Sequence, residues 1–124
     1  MAIATLLAVL FVINPAAFEQ LSIVNYATQV AQAHKIDENM FLSLISCESR
    51  FNTTAKGDYR KETGKHMAYG PLQWWRSSFN SYSKKYNLEL DYHNSYDQID
   101  LAALVIRDGG LHNWKNCQKH IGWK

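Results

Sequence analysis

The stretch ISCESRFNTTAKG, residues 45–57, contains the end of a helical pattern and the start of an irregular one. Glu48 follows Leu44 by four residues and Ile45 by three, so a helix places its carboxyl group on their apolar face. A glutamate near a helix end is more often solvated than functional, because carboxylates are seldom buried without a partner. Here, however, partial burial and the negative end of the helix dipole would both raise its pKa. The pattern therefore permits a general acid at Glu48 without requiring one.

The rest of the chain predicts a mainly α fold. Apolar residues recur at helical spacing in four segments, residues 19–35, 36–49, 76–87 and 97–110. The first of these segments is predicted to bury Leu21, Val24, Ala27, Val30 and Ala31. Residues 52–68 lose this periodicity and contain Gly, Asp and Thr instead, which predicts a long loop or a small hairpin. Residues 111–124 are too short to assign.

Polar residues and glycines predict where these helices begin and end. The candidate N-caps are Asp37 for the second helix, Ser77 or Ser78 for the third, and Asp97 for the fourth. The pair Gly109 and Gly110 is expected to end the fourth helix.

Length and composition fit one globular domain. The chain has 124 residues, of which 47% are hydrophobic and 19% charged. A net charge of +2 without a run of Lys or Arg argues against a nucleic-acid-binding protein. The histidines and cysteines lack the spacing of metal ligands, so neither a metal nor a cofactor is expected.

The N-terminus differs from the rest of the chain. An apolar run from Ala2 to Ile13 is followed by Asn14-Pro15 and the small pair Ala16-Ala17. This length is typical of the hydrophobic region of an export signal and is short for a membrane span. The missing Lys or Arg before the run opposes this, so an uncleaved anchor or a buried first helix stays open. We divide the chain into residues 1–18, a signal peptide or N-terminal anchor, and the domain 19–124.

Two cysteines, Cys47 and Cys117, lie far apart in the sequence. In an exported protein a disulfide between them would tie the end of the chain to the helix that carries Glu48. Two buried free thiols are the alternative.

Two short motifs carry a family resemblance, ESRFNTTA at residues 48–55 and AYGPLQ at residues 68–73. In this order and at this spacing they resemble the lytic transglycosylase (SLT) domains of the lysozyme-like superfamily. The resemblance implies a lysozyme-like α+β fold, a compact helical domain with a loop or small hairpin inserted after the catalytic helix. It also implies an exported peptidoglycan lytic transglycosylase that cleaves the bond between MurNAc and GlcNAc.

The resemblance also implies roles for individual residues. Glu48 would be the catalytic acid and Ser49 a hydroxyl that contacts the substrate. Gln73, with the backbone around Tyr69 and Gly70, would form the floor of the glycan cleft.

The second carboxylate of c-type lysozymes has no counterpart at the expected place. Those enzymes carry it just before the Tyr-Gly pair, where this chain has Ala68. Asp58 and Glu62 are substitutes, although charges in an exposed loop are the more common explanation. The absence favours a mechanism with one glutamate that acts first as acid and then as base. A lysozyme-type hydrolase and a non-catalytic glycan-binding domain remain the alternatives.

Many SLT domains carry a Tyr-Asn-x-Gly segment on a later helix, and this chain has Arg107-Asp108 near that position. Asn113 and Trp114 are candidates to replace the missing contacts, although a Trp near a C-terminus more often closes the core.

Two adjacent tryptophans, Trp74 and Trp75, cannot share one face of a helix or strand. We therefore expect one to pack inward and the other to bind a sugar ring, with core packing of both as the alternative.

The expected partners are peptidoglycan strands, with no nucleic acid, and the expected state is a monomer. The expected location is the periplasm, the cell envelope or the extracellular space, with membrane association through the N-terminal segment as an alternative.

Overall fold

A computed structural model describes residues 14–124, so the apolar run from Ala2 to Ile13 lies outside the described residues. Helix α1, Pro15–Ala33, begins with Pro15 at its first position and with Asn14 as N-cap, whose side chain accepts the Ala17 N–H at 3.1 Å. No helix within residues 14–124 combines the length and apolarity needed to cross a bilayer.

The buried face of α1 differs in part from the predicted one. Ile23, Ala27, Val30 and Ala31 are buried, whereas Leu21 is 38% exposed and Val24 is half-buried. The predicted stripe advanced in steps of three residues, which drift around a helix of 3.6 residues per turn. Leu21 therefore lies on the side opposite to Val30.

Helix α2, Glu38–Ser49, has the predicted cap. The Asp37 side chain accepts the Met40 N–H at 3.0 Å. Phe41, Leu44 and Ile45 are fully buried. The helix ends at Ser49, and the next residue, Arg50, adopts the left-handed conformation with φ 53°.

The irregular segment forms a hairpin within a three-stranded antiparallel sheet. Its strands are β1, Lys56–Arg60, β2, Lys65–Tyr69, and β3, Trp74–Trp75, in the order β1-β2-β3. Ala68 lies opposite Gly57 on one side and Trp75 on the other. Gly70, in the turn that follows Tyr69, donates its N–H to the carbonyl oxygen of Ala55 at 2.8 Å, in the segment between the end of α2 and β1.

Helices α3, Arg76–Lys85, and α4, Ser95–Arg107, complete the predicted set, but both predicted caps are wrong. Ser77 and Ser78 lie inside the first turn of α3, and Trp75 occupies the cap position without a capping hydrogen bond from its side chain. On α4 the cap is Asn94, which accepts the Asp97 N–H at 3.1 Å. The predicted end of α4 is confirmed, because the helix stops at Arg107 and Gly109 follows with φ +93°.

The C-terminal segment forms a 3-10 helix, Leu111–Trp114, and helix α5, Lys115–Ile121. A disulfide joins Cys47 on α2 to Cys117 on α5 across a sequence separation of 70 residues. One hydrophobic cluster includes side chains from α1, α2, α3 and α4 together with Leu72, Trp74 and Trp114. The predicted mainly helical, lysozyme-like α+β fold is therefore confirmed.

Candidate active site

A cleft of about 550 Å³ opens between the end of α2, the sheet and the start of α5. Its wall on the side of α2 and the sheet consists of Glu48, Asp58, Arg60, Ala68, Gln73 and Trp75. The facing wall comes from the C-terminal segment and consists of Asn113, Trp114, Lys115 and Asn116.

Glu48 is half-buried in the cleft wall, and burial raises its pKa from the ordinary 4.5 to about 7. Within residues 14–124 its carboxyl group has no hydrogen-bond or ion-pair partner. In the same range, every fully buried side-chain oxygen has a hydrogen-bond partner. Because the Glu48 oxygens have none, they are not fully buried, and the residue lines the cleft. Glu48 thus presents an acid that holds its proton up to near-neutral pH.

The packing of α2 fixes the position of Glu48. Leu44 and Ile45, one turn earlier, have no exposed surface and hold the helix against the core. The adjacent Cys47 is bonded to Cys117, which fastens the same turn to α5. Because the chain turns away at Arg50, no further helical turn follows to cover the Glu48 carboxyl group.

Gln73 lines the same cleft as Glu48. Its Nε2 donates to the carbonyl oxygens of Ala55 at 3.0 Å and Gly70 at 2.9 Å, which leaves Oε1 as an acceptor. A Cβ atom at residue 57 would collide with this oxygen, so Gly57 is required for the observed Gln73 conformation. Gln73 also has φ 50°, a conformation that is uncommon outside glycine and often found at functional sites.

Gln98 holds the turn that carries Gln73, a role that the sequence did not predict. Its fully buried amide donates to the carbonyl oxygens of Tyr69 at 3.0 Å and Tyr92 at 2.9 Å. Its Oε1 accepts the Leu72 N–H at 3.2 Å. The only sequence signal is a polar residue next to the apolar face of α4, and that signal is weak.

Asp58 is the second carboxylate in the cleft. It forms an ion pair with Arg60 at 3.1 Å, and its side chain is 35% exposed. The Arg60 guanidinium in turn lies 5.3 Å from the centre of the Trp75 ring. Glu62, the other predicted substitute, is exposed in the hairpin turn and is not among the residues that line the cleft.

The two tryptophans separate as predicted, one into the core and one at the cleft. Trp74 is 3% exposed, packs edge-on against Phe79 and Trp114, and donates its Nε1–H to the Gln98 carbonyl at 3.1 Å. Trp75 is half-buried and lines the cleft, so it is the tryptophan that a sugar ring can reach.

Three residues predicted to contact substrate, Ser49, Tyr69 and Gly70, are not among the residues that line this cleft, and those contacts stay predictions. The Ser49 hydroxyl donates back to the Ile45 carbonyl at 3.2 Å, within its own helix. The Tyr69 ring contacts the rings of Tyr92 and His93. Gly70 is buried beneath Gln98, where a Cβ atom would collide with the glutamine amide.

The segment after α4 provides the facing wall of the cleft. Asn113 donates to the carbonyl of Gly110 at 2.7 Å and to the Tyr82 hydroxyl at 2.9 Å. Trp114 is 5% exposed, and its Nε1–H donates to the Leu72 carbonyl at 2.9 Å, so it serves the core as well as the wall. Arg107 and Asp108 pair with each other at 3.0 Å on the exposed end of α4.

Metal ligation has no candidate in this region. Within residues 14–124 no group of three or more His, Cys, Asp or Glu side chains could hold an ion.

Comparison with known proteins gives one match. The model of the transglycosylase SLT domain family matches residues 25–107, more than half of the chain. No curated protein and no solved structure matches the chain. The matched span includes both motifs, the helix α2 that carries Glu48, and the helix α4, whose Gln98 holds the turn that carries Gln73. The chain therefore belongs to the transglycosylase SLT domain family, whose lytic transglycosylases act on peptidoglycan.

Proposed function

We propose that this protein is a peptidoglycan lytic transglycosylase that cleaves the bond between MurNAc and GlcNAc with Glu48 as its catalytic acid and base. The observation that carries the proposal is the state of Glu48, an unpartnered carboxyl group open to a cleft, with its pKa raised to about 7 by burial. A group with this pKa can donate a proton and take one back at neutral pH.

The first step breaks the glycosidic bond. Protonated Glu48 donates its proton to the oxygen that links MurNAc to the departing GlcNAc, and that sugar leaves as an alcohol. The acetamido group of MurNAc stabilises the positive charge that develops at the anomeric carbon. The step requires Glu48 to be protonated, which its burial favours.

The second step closes a ring. The Glu48 carboxylate removes the proton from the C6 hydroxyl of MurNAc, and the C6 oxygen forms a bond to the anomeric carbon. The product is a 1,6-anhydro-muramyl end, and Glu48 is protonated again for the next cycle. Neither water nor a second carboxylate takes part, which agrees with Ala68 at the place where c-type lysozymes carry one.

Three neighbouring groups support sugar binding in the cleft. The Gln73 amide retains a free acceptor for a sugar N–H or O–H, because its donors are used by backbone carbonyls. The half-buried Trp75 ring offers an apolar face against which a pyranose can pack. Lys115 on the facing wall can donate to sugar oxygens.

The test is mass spectrometry of the muropeptides released from purified peptidoglycan. The wild type is expected to release anhydro-muramyl products. Glu48→Gln should lower their rate of release by about 10²- to 10⁴-fold, the usual contribution of a general acid. Glu62→Gln, an exposed glutamate in the hairpin turn, is the matched control and should retain the wild-type rate. Undiminished turnover by Glu48→Gln would contradict the proposal, and binding without turnover by the wild type would indicate a glycan-binding domain.

A lysozyme-type hydrolase is the second candidate, because Asp58 lies in the same cleft as Glu48. In a hydrolase a second carboxylate stabilises the anomeric carbon or activates water, and the products end in reducing MurNAc. Reducing ends that disappear in Asp58→Asn would favour this function. The Asp58 carboxylate is already paired with Arg60, which favours the mechanism with a single glutamate.

We further propose that the protein acts outside the cytoplasm. Disulfides persist in oxidising compartments, and Cys47 and Cys117 form one here. Peptidoglycan, the substrate of the family, also lies there. Alkylation of the protein purified from the cell envelope, with and without prior reduction, tests this proposal. Thiols that react without prior reduction would contradict it.

A further inference from the structure

A second concavity, of about 440 Å³, lies beside the cleft and shares Ala68 and Trp75 with it. We name it the cationic groove and define it by Lys56, Lys65, Tyr69, Arg76, Tyr92 and His93. The catalytic mechanism proposed above uses none of these six residues.

The groove concentrates positive charge. Lys56, Lys65 and Arg76 line it, and no Asp or Glu side chain does. Within residues 14–124 the ion pairs are Arg60 with Asp58 and Arg107 with Asp108, so all three groove cations lack a carboxylate partner. Asp91 accepts the backbone N–H of His93 at 2.9 Å, but it does not line the groove. In a chain with a net charge of only +2, this is a local excess of positive charge.

Aromatic side chains also line the groove. The Tyr69 ring lies 5.9 Å from that of Tyr92 and 5.0 Å from that of His93. The Arg76 guanidinium stacks over Tyr92, 5.2 Å from its ring centre. Aromatic surface beside Lys56, Lys65 and Arg76 suits a ligand that has small aliphatic groups and free carboxylates.

Peptidoglycan contains such a ligand next to the bond that is cleaved. Its sugars carry no free charge where the lactyl group of MurNAc is amide-linked, whereas the stem peptide on that group has small side chains and free carboxylates. A glycan bound along the cleft would meet the groove at Ala68 and Trp75, where a stem could branch away from the sugar.

We propose that the cationic groove binds the anionic stem peptide of peptidoglycan while the cleft binds the glycan. This inference deepens the proposed function and rests on it. It makes the protein selective for stem-bearing strands over bare ones.

The test compares two ligands of the full-length protein by calorimetry. One is the disaccharide GlcNAc-MurNAc with its lactyl carboxyl group converted to the methylamide, and the other is the same disaccharide with the stem amide-linked at that position. Neither contains the MurNAc-GlcNAc bond, so neither is consumed. We expect the stem to tighten binding, and conversion of its carboxylates to amides to remove that gain.

A pair of charge variants locates the effect. Lys56→Gln/Lys65→Gln should weaken binding of the stem-bearing ligand by roughly threefold to tenfold, the value expected for two partly exposed charge pairs. Lys56→Arg/Lys65→Arg should restore it. Lys84→Gln/Lys119→Gln removes the same charge from exposed positions on α3 and α5 and should have no effect.

Equal affinity for the two ligands would overturn the proposal, as would equal affinity of the wild type and Lys56→Gln/Lys65→Gln for the stem-bearing ligand. Because the readout is binding of uncleavable ligands, this failure is distinct from failure of the catalytic proposal. Stem binding can hold with an active Glu48→Gln variant, and catalysis by Glu48 can hold without stem binding.

Discussion

Two carboxylates line the same cleft in opposite surroundings. Glu48 ends a helix that is packed against the core, is half-buried, and has no partner within residues 14–124. Asp58 lies on a strand of the exposed hairpin and is paired with Arg60 at 3.1 Å. Burial raises the pKa of Glu48 to about 7. We therefore propose that Glu48, and not Asp58, delivers the proton because of its surroundings rather than its presence in the cleft.

The helix and the hairpin also differ in how firmly they hold these side chains. The last turn of α2 is held by Leu44, Ile45 and the Cys47–Cys117 disulfide. The hairpin turn between Arg60 and Lys65 consists of exposed residues. A proton donor must keep a fixed position relative to the glycosidic oxygen, which the helix supplies.

Shortening the Glu48 side chain and lengthening that of Asp58 should give the largest difference in activity between the two positions. Glu48→Asp withdraws the carboxyl group by one methylene, and we expect kcat/KM on peptidoglycan to fall by about 10²-fold, because displacements of about 1 Å can cost that much. Asp58→Glu should stay within about threefold of the wild type, since the residue is not required for proton transfer in the proposed mechanism. An equal loss in both variants would show that both carboxylates take part and would favour the hydrolase.

Removing the charge of each carboxylate in turn should change the stability of the protein by different amounts. Burial raises the folded-state pKa of Glu48 from the ordinary 4.5 to about 7. Below pH 4.5 the carboxyl group is protonated in both the folded and the unfolded state, so its burial then lowers the stability of the protein least. Stability is lost as the pH rises through 7, because the buried group then becomes charged. At pH 8.5 Glu48→Gln should raise the free energy of unfolding by about 1–3 kcal/mol relative to the wild type, and near pH 4 it should not.

Urea unfolding of the oxidised protein at the two pH values measures this difference. Asp58→Asn is the control, and loss of its partly exposed ion pair should change stability by less than about 1 kcal/mol. A Glu48→Gln variant that is less stable than the wild type at pH 8.5 would contradict the burial of an unpartnered carboxyl group.

Gln73, which lines the cleft together with the two carboxylates, should respond to a smaller change. In Gly57→Ala the new methyl group must displace the Gln73 amide, which donates to Ala55 and Gly70. We expect a loss of about 1 kcal/mol in stability for each hydrogen bond that is broken, together with weaker glycan binding. In the Gln73→Ala background the same change should have little further effect, and a full additional loss there would mean that Gly57 acts through something other than Gln73.

Much of this fold follows from local sequence patterns. Apolar spacing identified the helices, Asp37 identified the start of α2, and Gly109 with Gly110 identified the end of α4. The two motifs around Glu48 and Gln73 carried the family resemblance, which the matched family model confirms. These features depend on neighbours in the chain, so the sequence expresses them directly.

The remaining features depend on contacts between distant residues. Asn94 and Asp97 are both good caps, and only the tertiary structure shows that Asp97 instead accepts the Asp91 N–H at 2.9 Å. The choice of Trp74 for the core depends on Gln98 and Trp114, which come later in the chain. Gly57 likewise acquires its role only when Gln73 folds against it. The predicted export segment and the role of Ser49 stay predictions.

Titration of the Glu48 carboxyl group by carbon-13 NMR tests the central claim most directly. The wild-type protein, labelled at glutamate side chains, is compared with Glu48→Gln to assign the signal. We expect its chemical shift to titrate with a midpoint of about 7, far above the ordinary 4.5. A midpoint near 4.5 would mean that Glu48 is ionised at neutral pH, which would contradict its role as the acid that starts the reaction.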